Sequence, residues 1–191
     1  MAKTNADNAF MAGSEKDTLY LGPAGTDLSS ITALDSPIPA ALLDVGWLDE
    51  DGLTLGMSDS VDKIRGHQGH GVVRTYMSDS STTFTANLLE SKLALVKQYL
   101  GVTKTEKVTA GSGSITRMEV SASRKVEALC GVADLFDTST GKQRRYIFKR
   151  LELGERSDVQ YKVGEITAYE CQFEVLDGYV LLTDEGGMAV A

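Results

Sequence analysis

The sequence predicts a mainly β (α+β) fold, a sandwich or barrel flanked by one α-helix, with an extended N-terminal arm and long loops. Three observations carry this. From Val72 onward, short runs rich in Val, Ile, Thr, Tyr and Phe alternate with polar residues or stand as compact apolar stretches, as half-buried strands do. Turn-forming pairs punctuate the chain, Asp51-Gly52 ahead of those runs and Thr140-Gly141 and Asp177-Gly178 between them. Only the stretch around residues 89–100 carries apolar side chains at helical spacing.

Taken in order, residues 1–32 are rich in Ala, Gly, Ser, Thr, Asn and Asp with little hydrophobic period. They predict an arm, residues 1–34, that a lone subunit would not order. Residues 35–191 are expected to form a single domain. Ser36-Pro37-Ile38-Pro39 favours extended backbone, and the first convincing apolar run begins at Leu42. Trp47 to Leu55 reads as a hairpin turning at Asp51-Gly52, because Gly supplies the positive φ that such turns require. Residues 58–71 are polar and glycine-rich, anchored only by Val61 and Ile64, and predict a long loop. Strands are expected at 72–77 and 81–88, the second with Thr82, Phe84, Ala86 and Leu88 on one face. Asn87 and Glu90 fit a capping box for a helix whose stripe is Leu89, Leu93, Val96 and Leu100, closed by Gly101. After a loop at 102–114, strands are predicted near 115–122, 126–136, 145–153, 165–176 and 179–182.

Composition excludes several classes. The chain has 191 residues, enough for one sizeable core. With 42% apolar and 24% charged residues, it is neither a disordered acidic tail nor a collagen-like repeat. A formal charge of −8, from 19 basic and 27 acidic side chains, argues against wrapping duplex DNA, which needs a Lys/Arg excess. No apolar stretch approaches the length of a membrane span, so no membrane insertion is expected. Cys130 and Cys171 stand far apart in apolar contexts, which predicts buried reduced thiols.

Sites for chemistry are few. His67 and His70 are the only histidines and share one glycine-rich loop. With Asp59 or Asp62 they could approach a metal, but no certain third ligand is supplied, so neither metal nor cofactor is expected. No Gly-x-Ser-x-Gly elbow accompanies them, and Gly111-Ser112-Gly113-Ser114 lacks the Lys of a phosphate loop. Residues 142–150 hold five basic side chains with interleaved aromatics. On a strand these divide between two faces, as partners for carboxylates of this chain or of another copy. No catalytic residue is nominated, and the chain is not expected to be an enzyme.

Asp44-Val45-Gly46-Trp47-Leu48-Asp49-Glu50-Asp51-Gly52-Leu53-Thr54, the Ser60-Val61-Asp62-Lys63-Ile64-Arg65-Gly66-His67-Gln68-Gly69 loop, the Val72-Val73-Arg74-Thr75 strand and the passage Thr83-Phe84-Thr85-Ala86-Asn87-Leu88-Leu89-Glu90 follow one another in a telling order. In that order the chain resembles the major tail protein, the tail-tube subunit, of long non-contractile-tailed (siphovirus-type) bacteriophages. The resemblance covers residues 35–101, and the rest in pattern only. One departure is His67, which stands where family members often place an aromatic before Gln-Gly.

The resemblance implies a tail-tube-type fold and a structural virion protein, assembled in the host cytoplasm. Its partners would be itself, as hexameric rings stacked into a tube, together with tape-measure, tail terminator and tail-tip proteins. DNA would pass through on ejection without specific binding. Contacts between subunits are then expected at Trp47, Asp51, Ile64, Arg65, His67, Gln68, Arg74, Arg144 and Arg145. Two polar strand faces, Ser81, Thr83 and Thr85 in one and Glu170, Gln172 and Glu174 in the other, are expected to line the channel, where acidic walls let DNA slide. The alternatives are another β-rich virion component, a tail terminator or capsid decoration protein, or a metal-dependent enzyme using His67 and His70.

Overall fold

A computed structural model describes residues 4–110 and 113–189. The chain is mainly β with one helix. Strands β1 (Thr18–Pro23), β2 (Leu43–Asp44), β3 (Leu48–Arg65), β4 (Val72–Leu88), β7 (Ala128–Phe136), β8 (Gln143–Arg156), β9 (Tyr169–Val175) and β10 (Tyr179–Thr183) form one antiparallel sheet in the order β2-β1-β7-β8-β9-β4-β3. β10 continues the line of β9 along β8, pairing with Arg144–Phe148 while β9 pairs with Leu151–Arg156. β5 (Val102–Ala110) and β6 (Gly113–Val120) form a separate hairpin. Among the described residues no helix is long and apolar enough to cross a membrane.

The main core lies on one face of the sheet. Phe84 on β4, Phe173 on β9 and Phe148 on β8 stack side by side, with ring centroids 4.6 Å apart for Phe84–Phe148 and 6.4 Å for Phe84–Phe173. The helix α1 (Leu93–Leu100) contributes Leu95, Val96 and Tyr99 to that core. The Tyr99 ring meets Tyr169 edge-on at 5.4 Å and its hydroxyl donates to the Ser157 carbonyl at 2.6 Å. A smaller cluster of Leu28, Ile31, Leu42, Cys130, Val132 and Ile147 covers the other face of β7 and β8. Strand β7 is thus buried on both sides, which explains its near-continuous apolar run. Both cysteines are free and buried. Burial pushes the Cys171 thiol up to about 12 and raises that of Cys130.

Several expectations need correction. Residues 18–31 are not an arm: β1 pairs with β7 across six positions, and Leu19 and Leu21 are core. Leu28 and Ile31 cap the second cluster, so a glycine-rich, weakly periodic segment is ordered by tertiary burial that local pattern does not announce. Asp51-Gly52 does not turn a hairpin. Gly52 has the anticipated φ of +65°, but residues 49–52 bulge opposite the single residue Asn87, and β3 runs on to Arg65. The predicted 58–71 loop is mostly strand, paired with one continuous β4 rather than with two short strands, with register shifts between Ser60 and Val61 and between Ile64 and Arg65. Residues 102–110 are likewise strand, not loop. The Gly111-Ser112 half of the glycine-serine loop lies outside the described residues.

The helix is present but displaced. Its N-cap is Lys92, without a side-chain cap, and its buried stripe is Leu95, Val96 and Tyr99 while Leu93 is exposed. The capping box fails because Asn87 belongs to β4 and bonds to Asp49, and Glu90 reaches back to the Trp47 N–H. Gly101 closes the helix as expected, at φ +71°, with its N–H donating to the Lys97 carbonyl. The alternation of 82–88 and the glycine turns at 141 and 178 stand as read.

Candidate functional site

The two polar rows foreseen on β4 and β9 are cross-strand neighbours. Thr83 stands opposite Glu174, Thr85 opposite Gln172 and Asn87 opposite Glu170, alternating with the buried pairs Phe84–Phe173 and Ala86–Cys171. Directly opposed residues share a face. All six predicted residues, Ser81, Thr83, Thr85, Glu170, Gln172 and Glu174, therefore lie on one face, turned away from the core. The face extends over β3 through Thr54 and Ser58, and over β8 through Glu152 opposite Glu174. Three glutamates stand there against Arg150, which is paired with Glu152 at 2.7 Å. Glu152 escaped the sequence reading, although its i, i+2 spacing from Arg150 on a strand could have flagged it.

Beyond Met57 and Thr82 the β3–β4 pair leaves the sheet. β9 bonds to β4 only at Thr83–Leu88, so the distal part of β4 has no partner on that side among the described residues, and β3 is the sheet's edge. The arm is about 30 Å long at strand rise. Its apolar side chains are bare: Met57, Val61, Ile64, Val72, Val73, Tyr76 and Met77 are all exposed. Val61 and Met77 oppose each other on the continuation of the core face, whereas Asp62–Tyr76 and Ile64–Arg74 continue the polar face. At the tip the Gly66 N–H donates to the Gly71 carbonyl, Arg65 Nη1 donates to the His70 carbonyl, and His70 adopts φ +55°. Ile64, Arg65, His67, Gln68 and Arg74 thus come together at one exposed end. The β5–β6 hairpin is a second bare arm, exposing Ile115, Met118 and Val120.

At the root of the long arm lies an open groove of about 710 Å³. Trp47, 73% exposed, forms one wall, and Leu53 and Leu135 contribute apolar surface. Seven acidic side chains line it against one lysine. Some are spoken for: Asp17 accepts from the Phe136 N–H at 2.7 Å, Asp44 from the Gly46 N–H at 2.7 Å and Asp49 from Asn87 Nδ2 at 2.5 Å. The Glu90 carboxylate accepts from the Trp47 N–H at 2.9 Å, which holds its pKa below the usual value, and it packs where any Cβ on Gly46 would collide. Glu15, Glu50 and Asp51 are exposed and have no hydrogen-bond or ion-pair partner among the described residues. Trp47 and Asp51 were foreseen as contact residues. Glu15 and Glu90 were not, being brought there from sequence positions far from both.

Two arginines of the basic stretch of β8 are engaged by their own chain, while Lys149 and Arg150 are exposed. Arg145, expected between subunits, is buried and grips Asp134 through Nε at 2.6 Å and Nη2 at 2.7 Å, while its Nη1 donates to the Ala33 and Ser36 carbonyls. It is a clasp for the 24–42 layer, unavailable to another subunit. Arg144 pairs with Glu185 at 2.5 Å and lies over the Phe10 ring at 4.3 Å. This hydrogen bonding lowers the Glu185 pKa. Both arginines are thus engaged within the subunit. Among the described residues no group of three or more His, Cys, Asp or Glu is placed to hold a metal. Comparison of the chain with protein-family models gives no match, and comparison with curated proteins gives none either.

Proposed function

We propose that this chain is a structural subunit that polymerises as stacked hexameric rings into the tail tube of a long non-contractile-tailed bacteriophage, the conduit for its DNA. The observation that carries this reading is the β3–β4 arm: a strand pair with free edges and bare apolar side chains, continuous with a sheet whose outer face is polar and acidic. Unpaired edges and exposed apolar stripes are liabilities in a monomer and are removed when sheets of neighbouring copies join. A closed ring of such sheets would be a barrel.

The polar face would then line the channel. Duplex DNA carries about one negative charge per 1.7 Å of axis, so a wall holding Glu152, Glu170 and Glu174 repels it and lets it pass. Tape-measure, terminator and tip proteins would meet the tube's interior and ends. Negative-stain electron microscopy of the purified protein tests the proposal. Hollow tubes or stacked rings are expected; closed particles that never lengthen would instead indicate a terminator or decoration protein, and a persistent monomer would refute both.

A further inference from the structure

The arm tip and the groove at the arm's root carry opposite charge. Residues 63–78 contain Lys63, Arg65 and Arg74 with His67 and His70, and no acid. Among the described residues the side chains of Lys63 and Arg74 have no ion-pair or hydrogen-bond partner, and neither do those of Glu15, Glu50 and Asp51 in the groove. Each surface also carries bare apolar area, Val72 and Val73 at the tip and Trp47 in the groove. Leu53 lines the groove and Arg65 sits at the tip of the same strand, about 40 Å apart at strand rise, so a paired hairpin pointing outward does not fold back into its own groove.

Resting on the tube-subunit reading, we infer that the groove lined by Trp47, Glu15, Glu50 and Asp51 receives the β3–β4 tip of a second copy of this chain. Tip and groove are different surfaces, so the contact is head-to-tail. Repeated, it closes into rings or extends into a filament, as a self-complementary dimer contact would not. Lys63 and Arg74 meet the carboxylates, and Val72 and Val73 lie against the indole of Trp47. The carboxylates steer the approach and fix its register, and the apolar part supplies the burial.

Paired charge reversals test this. One variant carries Glu50→Lys with Asp51→Lys, the other Lys63→Glu with Arg74→Glu. All four positions are exposed, so melting temperatures should match the wild type and report intact folding. By sedimentation velocity and electron microscopy, each variant alone should need about tenfold more protein, or greater, to assemble. An equimolar mixture should recover wild-type assembly, because every tip then finds a groove of opposite charge. Wild-type assembly should also weaken as salt is raised. Folded variants that assemble like the wild type, or a mixture that recovers nothing, would overturn the docking while leaving the tube reading intact. A wild-type protein that never assembles would overturn both.

Discussion

Strands β3 and β4 form a wall in one half and an arm in the other. In the wall, Phe84, Ala86 and Leu88 are buried and Leu53 and Leu55 pack against them, with β9 bonded along the far side of β4. In the arm the same alternation continues through Met57, Val61 and Met77, yet no described residue covers it. Local pattern is common to both halves; neighbours are not. A strand pair with an apolar face but no core is an incomplete structure, and on the proposed reading another copy of the chain completes it.

The largest effects should fall in the wall. Phe148→Ala removes the ring at the centre of the aromatic stack and should cost about 3–5 kcal/mol of stability in urea unfolding. Asp134→Ala strands the buried Arg145 guanidinium and should cost a similar ~3–5 kcal/mol. Replacing residues 60–78 by an Asn-Gly turn is the converse: assembly should be abolished, while unfolding free energy changes by less than about 1 kcal/mol, as at exposed positions generally. Loss of the fold on that truncation would mean that the arm supports the body.

A subtler change concerns the polar face. Glu170→Lys with Glu174→Lys should leave the unfolding midpoint and assembly unchanged, yet make tubes retain duplex DNA in a salt-dependent way. Unaltered DNA retention in assembled tubes would remove that face from the lumen. The smallest effect is on pH. The pKa of Asp137 is lowered by the Ser139 hydroxyl and by the backbone N–H groups of Met11, Thr140 and Ser139, and that of Glu185 by Arg144. Groups lowered in the folded state contribute fully above their unfolded values and lose that contribution as pH falls through the folded ones. The thermal midpoint should therefore stay flat down to pH ~4.5 and decline below it. A decline beginning near neutrality would point to other groups.

The sequence was most legible where period and burial coincide. The 82–88 alternation, the β7–β10 strands and the glycine turns at 141 and 178 all bury one side or close a turn locally. It was least legible where tertiary contact decides. Leu19, Leu21, Leu28 and Ile31 sit among glycine, serine and threonine, and only their docking onto β7 and β8 reveals them as core. The 58–65 strand was hidden by its serines and aspartates and by the glycines that follow at 66, 69 and 71, residues that suit an unsupported ribbon and also suit a loop. Arg145 belonged to a basic run whose inward turn no spacing announces. The two polar rows were readable singly, but their union on one face depends on the β4–β9 register.

The central claim, that the arm is completed by neighbouring copies, is tested most directly by amide hydrogen exchange over residues 57–81 in the free and the assembled protein. The account predicts rapid exchange along the arm in the monomer, with the amides of 83–88 already protected, and strong protection of the whole arm after assembly. Equal exchange of the arm in both states, with assembly verified in the same sample, would contradict it.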